Sequence, residues 1–167
     1  HLGAIHARLA AGLEDINLVG VYDLNTHRCQ EVASACGCQA FASLPRLLEQ
    51  VRAISIAVPT EHHFQVAAQA VEHGCHVFVE KPITSTSKQA QELIALSDRA
   101  GTILQVGHIE RFNPAFLALE GYPLAPMFIE SHRLSQFNPR FLHVSVVLDL
   151  MIHDIDIVLS LIDAPLD

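Results

Sequence analysis

Ala53-Ile54-Ser55-Ile56-Ala57-Val58-Pro59-Thr60 opens a unit that Cys75-His76-Val77-Phe78-Val79-Glu80-Lys81-Pro82 closes, with Glu61–His73 and Gly74 between them. Two short apolar runs, each stopped at a proline, flank a stretch of helical periodicity. Gly74 is a good C-terminal breaker for that helix. Near-continuous apolar strands joined by an amphipathic helix indicate parallel strands covered on both faces. That unit decides the fold class.

The same rhythm extends outward. Leu18–Asp23 reads as a buried strand, Thr26–Cys36 as a helix, Gln39–Phe41 as a short strand and Leu44–Gln50 as a helix. Beyond the central unit come a helix over Ser87–Ala100, with Gly101 behind it, and a strand over Thr102–Val106. The pattern predicts a doubly wound α/β domain with a parallel sheet. After Gly107 the rhythm changes. Asn113–Glu120 reads as a short helix, Met127–Leu134 as a strand, Asn138-Pro139 as a loop, and Val144–Ile162 as a long apolar helix. We expect a boundary near Gly121, giving residues 1–121 to the first domain and 122–167 to the start of an α+β second one.

Both ends read as cut. The chain opens on a helix-start pattern, His1-Leu2-Gly3-Ala4-Ile5-His6-Ala7, with no strand before it. It stops soon after one helix of the second domain.

Bulk properties narrow the class. The chain has 167 residues, half of them hydrophobic, enough for one good core. A net charge of −8 argues against a nucleic-acid partner, which needs a basic face. No apolar run reaches the roughly 18 residues of a membrane span. The four cysteines include Cys36-Gly37-Cys38, too tight for a zinc knuckle, and read as reduced thiols of a cytoplasmic domain.

Several positions carry candidate chemistry. Asp23 ends a strand about 20 residues after Gly3, where an acid bonds the adenosine ribose in a dinucleotide-binding unit and favours NAD. Arg28 could instead meet adenine or a 2′-phosphate, which leaves NADP open, and a plain turn acid would explain Asp23 equally. Gly3 fits the last glycine of G-x-G-x-x-G, or close helix–strand packing. Thr60 reads as an N-cap beside Pro59, at the strand ends where ligands of open α/β sheets bind. Glu80-Lys81-Pro82 lies at the same edge, where Lys81 could face a substrate hydroxyl or the nicotinamide. A surface ion pair is the plainer reading.

In Asp149-Leu150-Met151-Ile152-His153-Asp154-Ile155-Asp156 a carboxylate and an imidazole stand four apart, one turn of a helix. Histidine is the natural base near neutral pH and Asp149 can orient it. Packing without chemistry, or a metal held with Asp156, are the other readings of that spacing. No metal is expected.

Val58-Pro59-Thr60 with His63, the Gly74–His76 turn, Glu80-Lys81-Pro82 and Asp149-x-x-x-His153 together resemble the glucose–fructose oxidoreductase, inositol dehydrogenase and rhizopine-catabolism family (Gfo/Idh/MocA). The likeness covers essentially the whole chain. Gly107-His108-Ile109-Glu110-Arg111-Phe112-Asn113-Pro114 resembles its branch that oxidises the 3-hydroxyl of UDP-N-acetylglucosamine. The resemblance implies a dinucleotide-binding (Rossmann) domain followed by a substrate domain, with Lys81, Asp149 and His153 around the reacting carbon. His153 would take the hydroxyl proton, Lys81 would stabilise the oxygen, and Asp149 would orient sugar or base. Pro59, Thr60, His63, Glu80 and Lys81 would stand on the cofactor side with Gly3, Asp23 and Arg28. His108, Arg111 and Asn113 are candidates for substrate contacts. The implied partner is a sugar or nucleotide sugar, and the intact protein would be a homo-oligomer. Alternatives are a polyol or free-sugar dehydrogenase, and a non-catalytic relative that senses dinucleotide.

Overall fold

The computed structural model describes residues 1–134 and 145–162 and contains two compact units, His1–Val106 and Gly107–Asp167. The units divide earlier in the chain than the domain boundary expected near Gly121.

The first unit alternates helix and strand: α1 (Leu2–Ala11), β1 (Gly20–Val21), α2 (Thr26–Cys36), β2 (Gln39–Ala40), α3 (Leu44–Leu48), β3 (Ala53–Ile56), α4 (His63–Glu72), β4 (His76–Glu80), α5 (Ser87–Ala100) and β5 (Leu104–Gly107), whose last residue opens the second unit. β1 pairs with β2 in parallel, Gly20 opposite Gln39 and Val21 opposite Ala40. β3 pairs with β4 in parallel from Ala53–His76 to Ile56–Val79, and β5 lies on the far side of β4. The orders β1-β2 and β3-β4-β5 match stretches 2-3 and 4-5-6 of the doubly wound order 3-2-1-4-5-6. The expected α/β class is what the chain adopts.

Local chemistry explains the element ends. The Asn25 side chain accepts from the Arg28 N–H at the start of α2, and Thr86 accepts from the Gln89 N–H at the start of α5. Gly37 and Gly101 end these helices in the left-handed conformation. The core gathers Leu48, Ile56, Ala67, Val71, Val77, Val79 and Leu93 between the three-stranded sheet and its helices. Burying each of the larger aliphatic side chains contributes about 1.5–3 kcal/mol.

Several expected elements come out shorter. Only Gly20–Val21 of the Leu18–Asp23 run is paired, and Phe41 falls outside β2. The α3 helix stops at Leu48, with Glu49 as its C-cap, and β5 begins at Leu104. Thr60 is not a helix N-cap: it lies in a 3₁₀ turn over Thr60–His62, whose His62 N–H donates to the Pro59 carbonyl, and α4 starts only at His63. With φ fixed by its ring, Pro59 suits the entry to that tight turn.

In the second unit α6 spans Pro114–Leu117, shorter than expected, with Asn113 as its cap. Met127–Leu134 is not a strand. It has no ladder partner among the described residues, and Met127, Phe128 and Leu134 are all strongly exposed. Its sequence has a strand's composition, but an extended run becomes a strand only by hydrogen-bonding to another. The Asn138-Pro139 loop lies outside the described residues. The expected continuous helix is a π-helical turn, Val147–Met151, running into α7 (Ile152–Leu161).

Candidate functional site

Parallel strands bring their carboxyl ends to one edge. In the first unit the edge of the three-stranded sheet carries Val58-Pro59-Thr60 beyond β3 and Glu80-Lys81-Pro82 at the end of β4, and Asp23 follows β1 of the two-stranded sheet.

Gly3 sits in the first turn of α1. A Cβ built there would meet only the Ala57 Cβ, at an ordinary 3.8 Å. Just beyond β3, that is ordinary van der Waals packing. The Asp23 carboxylate accepts from the Asn25 N–H at 2.8 Å, which fixes it at the turn into α2. Arg28 is exposed on the first turn of α2. Pro59 is exposed and Thr60 is half-buried.

His63 is placed differently from a residue that touches cofactor. It is 1% exposed, with Nδ1 2.8 Å from the Pro82 carbonyl oxygen and Nε2 2.9 Å from that of Val58. Both ring nitrogens are used on the main chain, so the part it can play in cofactor binding is to hold the turns beyond β3 and β4. Glu80 likewise turns inward. Its Oε1 lies 3.0 Å from His6 Nε2, and its Oε2 accepts from the Lys81 N–H at 3.3 Å. His6 Nδ1 lies 2.7 Å from the Ser55 hydroxyl, and its ring meets the Phe78 ring edge-on. Sequence reasoning missed His6. Its only signal is the i, i+3 spacing from Gly3, in a chain with eleven histidines.

In the second unit, the Arg111 guanidinium grips Asp156 with two bonds, Nε–Oδ2 at 2.6 Å and NH2–Oδ1 at 2.9 Å. His108 Nδ1 stands 3.8 Å from the same carboxylate. Arg133 holds Asp154 in the same forked manner, at 2.7 and 3.0 Å. These arginine hydrogen bonds hold both aspartates below the usual carboxylate range, against a smaller desolvation effect. Asp156, offered by its spacing as a metal ligand, is thus bound in the Arg111 fork. Asn113 accepts from the Ala115 N–H and donates from its amide to Glu110, so it serves as a helix cap. Asp149 lies in the π-helical turn and His153 in the first turn of α7. A π turn holds more than 3.6 residues, so the four-residue spacing no longer guarantees a shared face; such turns recur at functional sites. Both residues are half-buried.

The profile of an oxidoreductase family with an NAD-binding Rossmann fold, Gfo/Idh/MocA, matches residues 1–108. The chain belongs to the Gfo/Idh/MocA family. It is 42% identical over its whole length to UDP-N-acetylglucosamine 3-dehydrogenase from Acidithiobacillus ferrooxidans, covering 53% of that enzyme. The crystal structure of that family member superposes with a TM-score of 0.93 at 41% identity, over 100% of this chain and 55% of the other. A second member, scyllo-inositol 2-dehydrogenase (NAD(+)) from Bacillus subtilis, is 30% identical over 98% of this chain and 52% of its own length. The chain spans about half the length of the relatives it matches.

Among the described residues no helix is long and apolar enough to cross a membrane. All four cysteines are free thiols, and burial pushes Cys38 and Cys75 above the ordinary thiol value.

Proposed function

We propose that the whole protein is an NAD-dependent dehydrogenase that oxidises the 3-hydroxyl of a UDP-N-acetyl sugar. The observation that carries this reading is the likeness to UDP-N-acetylglucosamine 3-dehydrogenase through both units rather than the Rossmann part alone. The donor set fits a dinucleotide: a glycine in the first turn of α1 and a carboxylate beyond β1. Gly3, Asp23, Arg28, Pro59 and Thr60 hold the cofactor, with Glu80 and His63 behind them. The Asp23 carboxylate opposes a 2′-phosphate, which supports NAD over NADP.

NAD, when bound, supplies a hydride acceptor. His153 takes the proton from the sugar hydroxyl, and Lys81 donates a hydrogen bond to that oxygen as negative charge grows on it. Asp149 orients the sugar or the imidazole. His108 contacts substrate in this reading. Arg111 reaches substrate only by loosening its fork on Asp156, and Asn113 acts through the α6 cap. Residues 1–121 form the cofactor domain and 122–167 the beginning of the substrate domain. Free thiols support the cytoplasmic location in this reading, in which the whole protein is a homo-oligomer acting on a small molecule.

The likeness to scyllo-inositol 2-dehydrogenase favours a second reading, a polyol dehydrogenase. The test mixes the intact protein with NAD and either UDP-N-acetylglucosamine or inositol and follows the reduced-nicotinamide band. Growth of that band with the sugar nucleotide is expected. Growth with inositol alone would establish the second reading in its place.

A further inference from the structure

Lys81 is flanked by two main-chain positions that imidazoles hold. On one side, the Glu80 carboxylate joins His6 Nε2, at 3.0 Å, to the Lys81 N–H, at 3.3 Å. His6 is itself fixed by the Ser55 hydroxyl at 2.7 Å and by the edge of Phe78. On the other side, the Pro82 carbonyl oxygen lies 2.8 Å from Nδ1 of buried His63, whose Nε2 lies 2.9 Å from the Val58 carbonyl oxygen. We propose that His6 and His63 are positioning residues for Lys81: a two-histidine clamp that fixes the backbone on both sides of the lysine and ties it to α1 and to the turn beyond β3. The inference rests on the role given to Lys81 above and adds two residues to it.

The physical case is one of orientation. A lysine side chain is long and flexible, so where its amine stands depends first on how firmly its backbone is held. With the Lys81 N–H and the Pro82 carbonyl both anchored, only side-chain torsions remain to be ordered. His63 suits the second anchor when Nδ1 carries the proton and donates to the Pro82 carbonyl; a ring protonated on both nitrogens donates to the Val58 carbonyl as well. His6 suits the first. Its Nε2–H can donate to Glu80 while Nδ1 accepts from Ser55, leaving no polar atom of the ring unused. A misplacement of about 1 Å in a reacting group costs roughly a hundredfold in rate, so loosening either anchor is read in turnover.

The experiment is a pair of double-mutant cycles in the intact protein, with NAD and UDP-N-acetylglucosamine as probes. His6→Leu and His63→Gln are each made with Lys81 present and with Lys81→Met. Each histidine change is expected to lower kcat roughly tenfold to a hundredfold beside Lys81; His6→Leu should change the KM for NAD by less than about twofold, whereas His63→Gln, behind the cofactor turn, is judged on kcat in the two backgrounds. Beside methionine each should cost less than about twofold more, because the group being positioned is gone. His6→Gln, which keeps a donor toward Glu80, should recover part of the loss. Equal losses in both backgrounds, or no kcat loss while Lys81→Met is costly, would overturn the clamp and leave the proposed role of Lys81 standing. If Lys81→Met itself leaves kcat unchanged, the role of the lysine falls, and the clamp with it.

Discussion

Gly20→Ala should be one of the most damaging single-methyl additions in the first unit. A Cβ built on Gly20 would stand 2.7 Å from Phe41 Cδ2, and closer still to Phe41 Cε2 and the Gln39 carbonyl oxygen. Carbon atoms rest about 3.5–4.0 Å apart, so neighbours must retreat by roughly 1 Å. The Phe41 ring is buried at 8% exposure and cannot leave without opening a void. The Gln39 oxygen is main chain. Moving it shifts β2 against β1, where Gln39 N–H donates to Val19 at 3.2 Å and Phe41 N–H donates to Val21 at 2.9 Å. Overpacking costs about 1–3 kcal/mol, and each strained hydrogen bond about 1 kcal/mol. A total near 3 kcal/mol is a large part of the 5–15 kcal/mol that typically holds a folded protein together. Urea denaturation of the intact protein reads this as a lowered midpoint at unchanged slope. Because β1 runs into Asp23, the KM for NAD should rise as well. Gly12→Ala is the control: its φ is −93° and its nearest neighbours would lie at 3.5 and 3.7 Å, so it should cost little. A Gly20→Ala midpoint within about 0.5 kcal/mol of the parent, or equal losses from both changes, would refute the steric argument.

Two further outcomes follow from the second unit and the thiols. Asp154 and Asp156 have carboxyls held low by Arg133 and Arg111, so the stability they contribute is present above the ordinary carboxylate value and lost as pH falls through their lowered values. Asp156→Asn should cost about 1 kcal/mol at neutral pH and flatten the acid limb of a thermal-denaturation profile, an effect absent if the fork contributes nothing. Maleimide labelling read by mass spectrometry should mark Cys36 first. Cys38, raised chiefly by burial, should speed up as pH rises, and buried Cys29 and Cys75 should wait for unfolding; prompt native labelling of Cys75 would contradict its packing beneath Leu48 and Val51.

What the sequence revealed depends on how local each cause is. The α2 and α5 helices carry their signals in the chain itself, a side-chain cap in front and a left-handed glycine behind, and their bounds agree with the reading residue for residue. The strands of the central unit are legible by their apolar runs, though not by their bounds: Ala53–Val58 pairs only as Ala53–Ile56, and Cys75–Val79 only as His76–Glu80, one residue later. Met127–Leu134 failed for the opposite reason: its composition suits a strand, but pairing depends on a partner elsewhere. The π-helical turn at Val147–Met151 carries no local mark, and it changes the phase between Asp149 and His153 that an α-helical count assumes. At the site, Lys81, Glu80 and His63 stand out by motif, yet the motif says nothing of which way they turn. The inward turn of Glu80 and the burial of His63 depend on His6, Ser55 and Val58, brought close only by the fold.

Helix α1 joins the two halves of the chemistry assigned to the first unit. Gly3 and His6 stand three residues apart, so they occupy one face of the helix. Both look onto the central strands: Gly3 toward Ala57, just beyond β3, and His6 onto Ser55 of β3 and Glu80 of β4. The N-terminus of α1, where the proposed function would seat a dinucleotide, is therefore linked to Glu80, and through it to the Lys81 N–H, by a single turn of helix. A helical turn is short and stiff, with its internal hydrogen bonds made whether or not ligand is present. The spacing from the α1 N-terminus to the lysine backbone is thus set by the fold before anything binds. That rigidity matters because a hydride acceptor and the group that stabilises the alcohol oxygen must be aligned together, and their alignment is most reliable when one element carries both supports. A change that tilts α1, even one far from Lys81, should therefore alter turnover and cofactor affinity together.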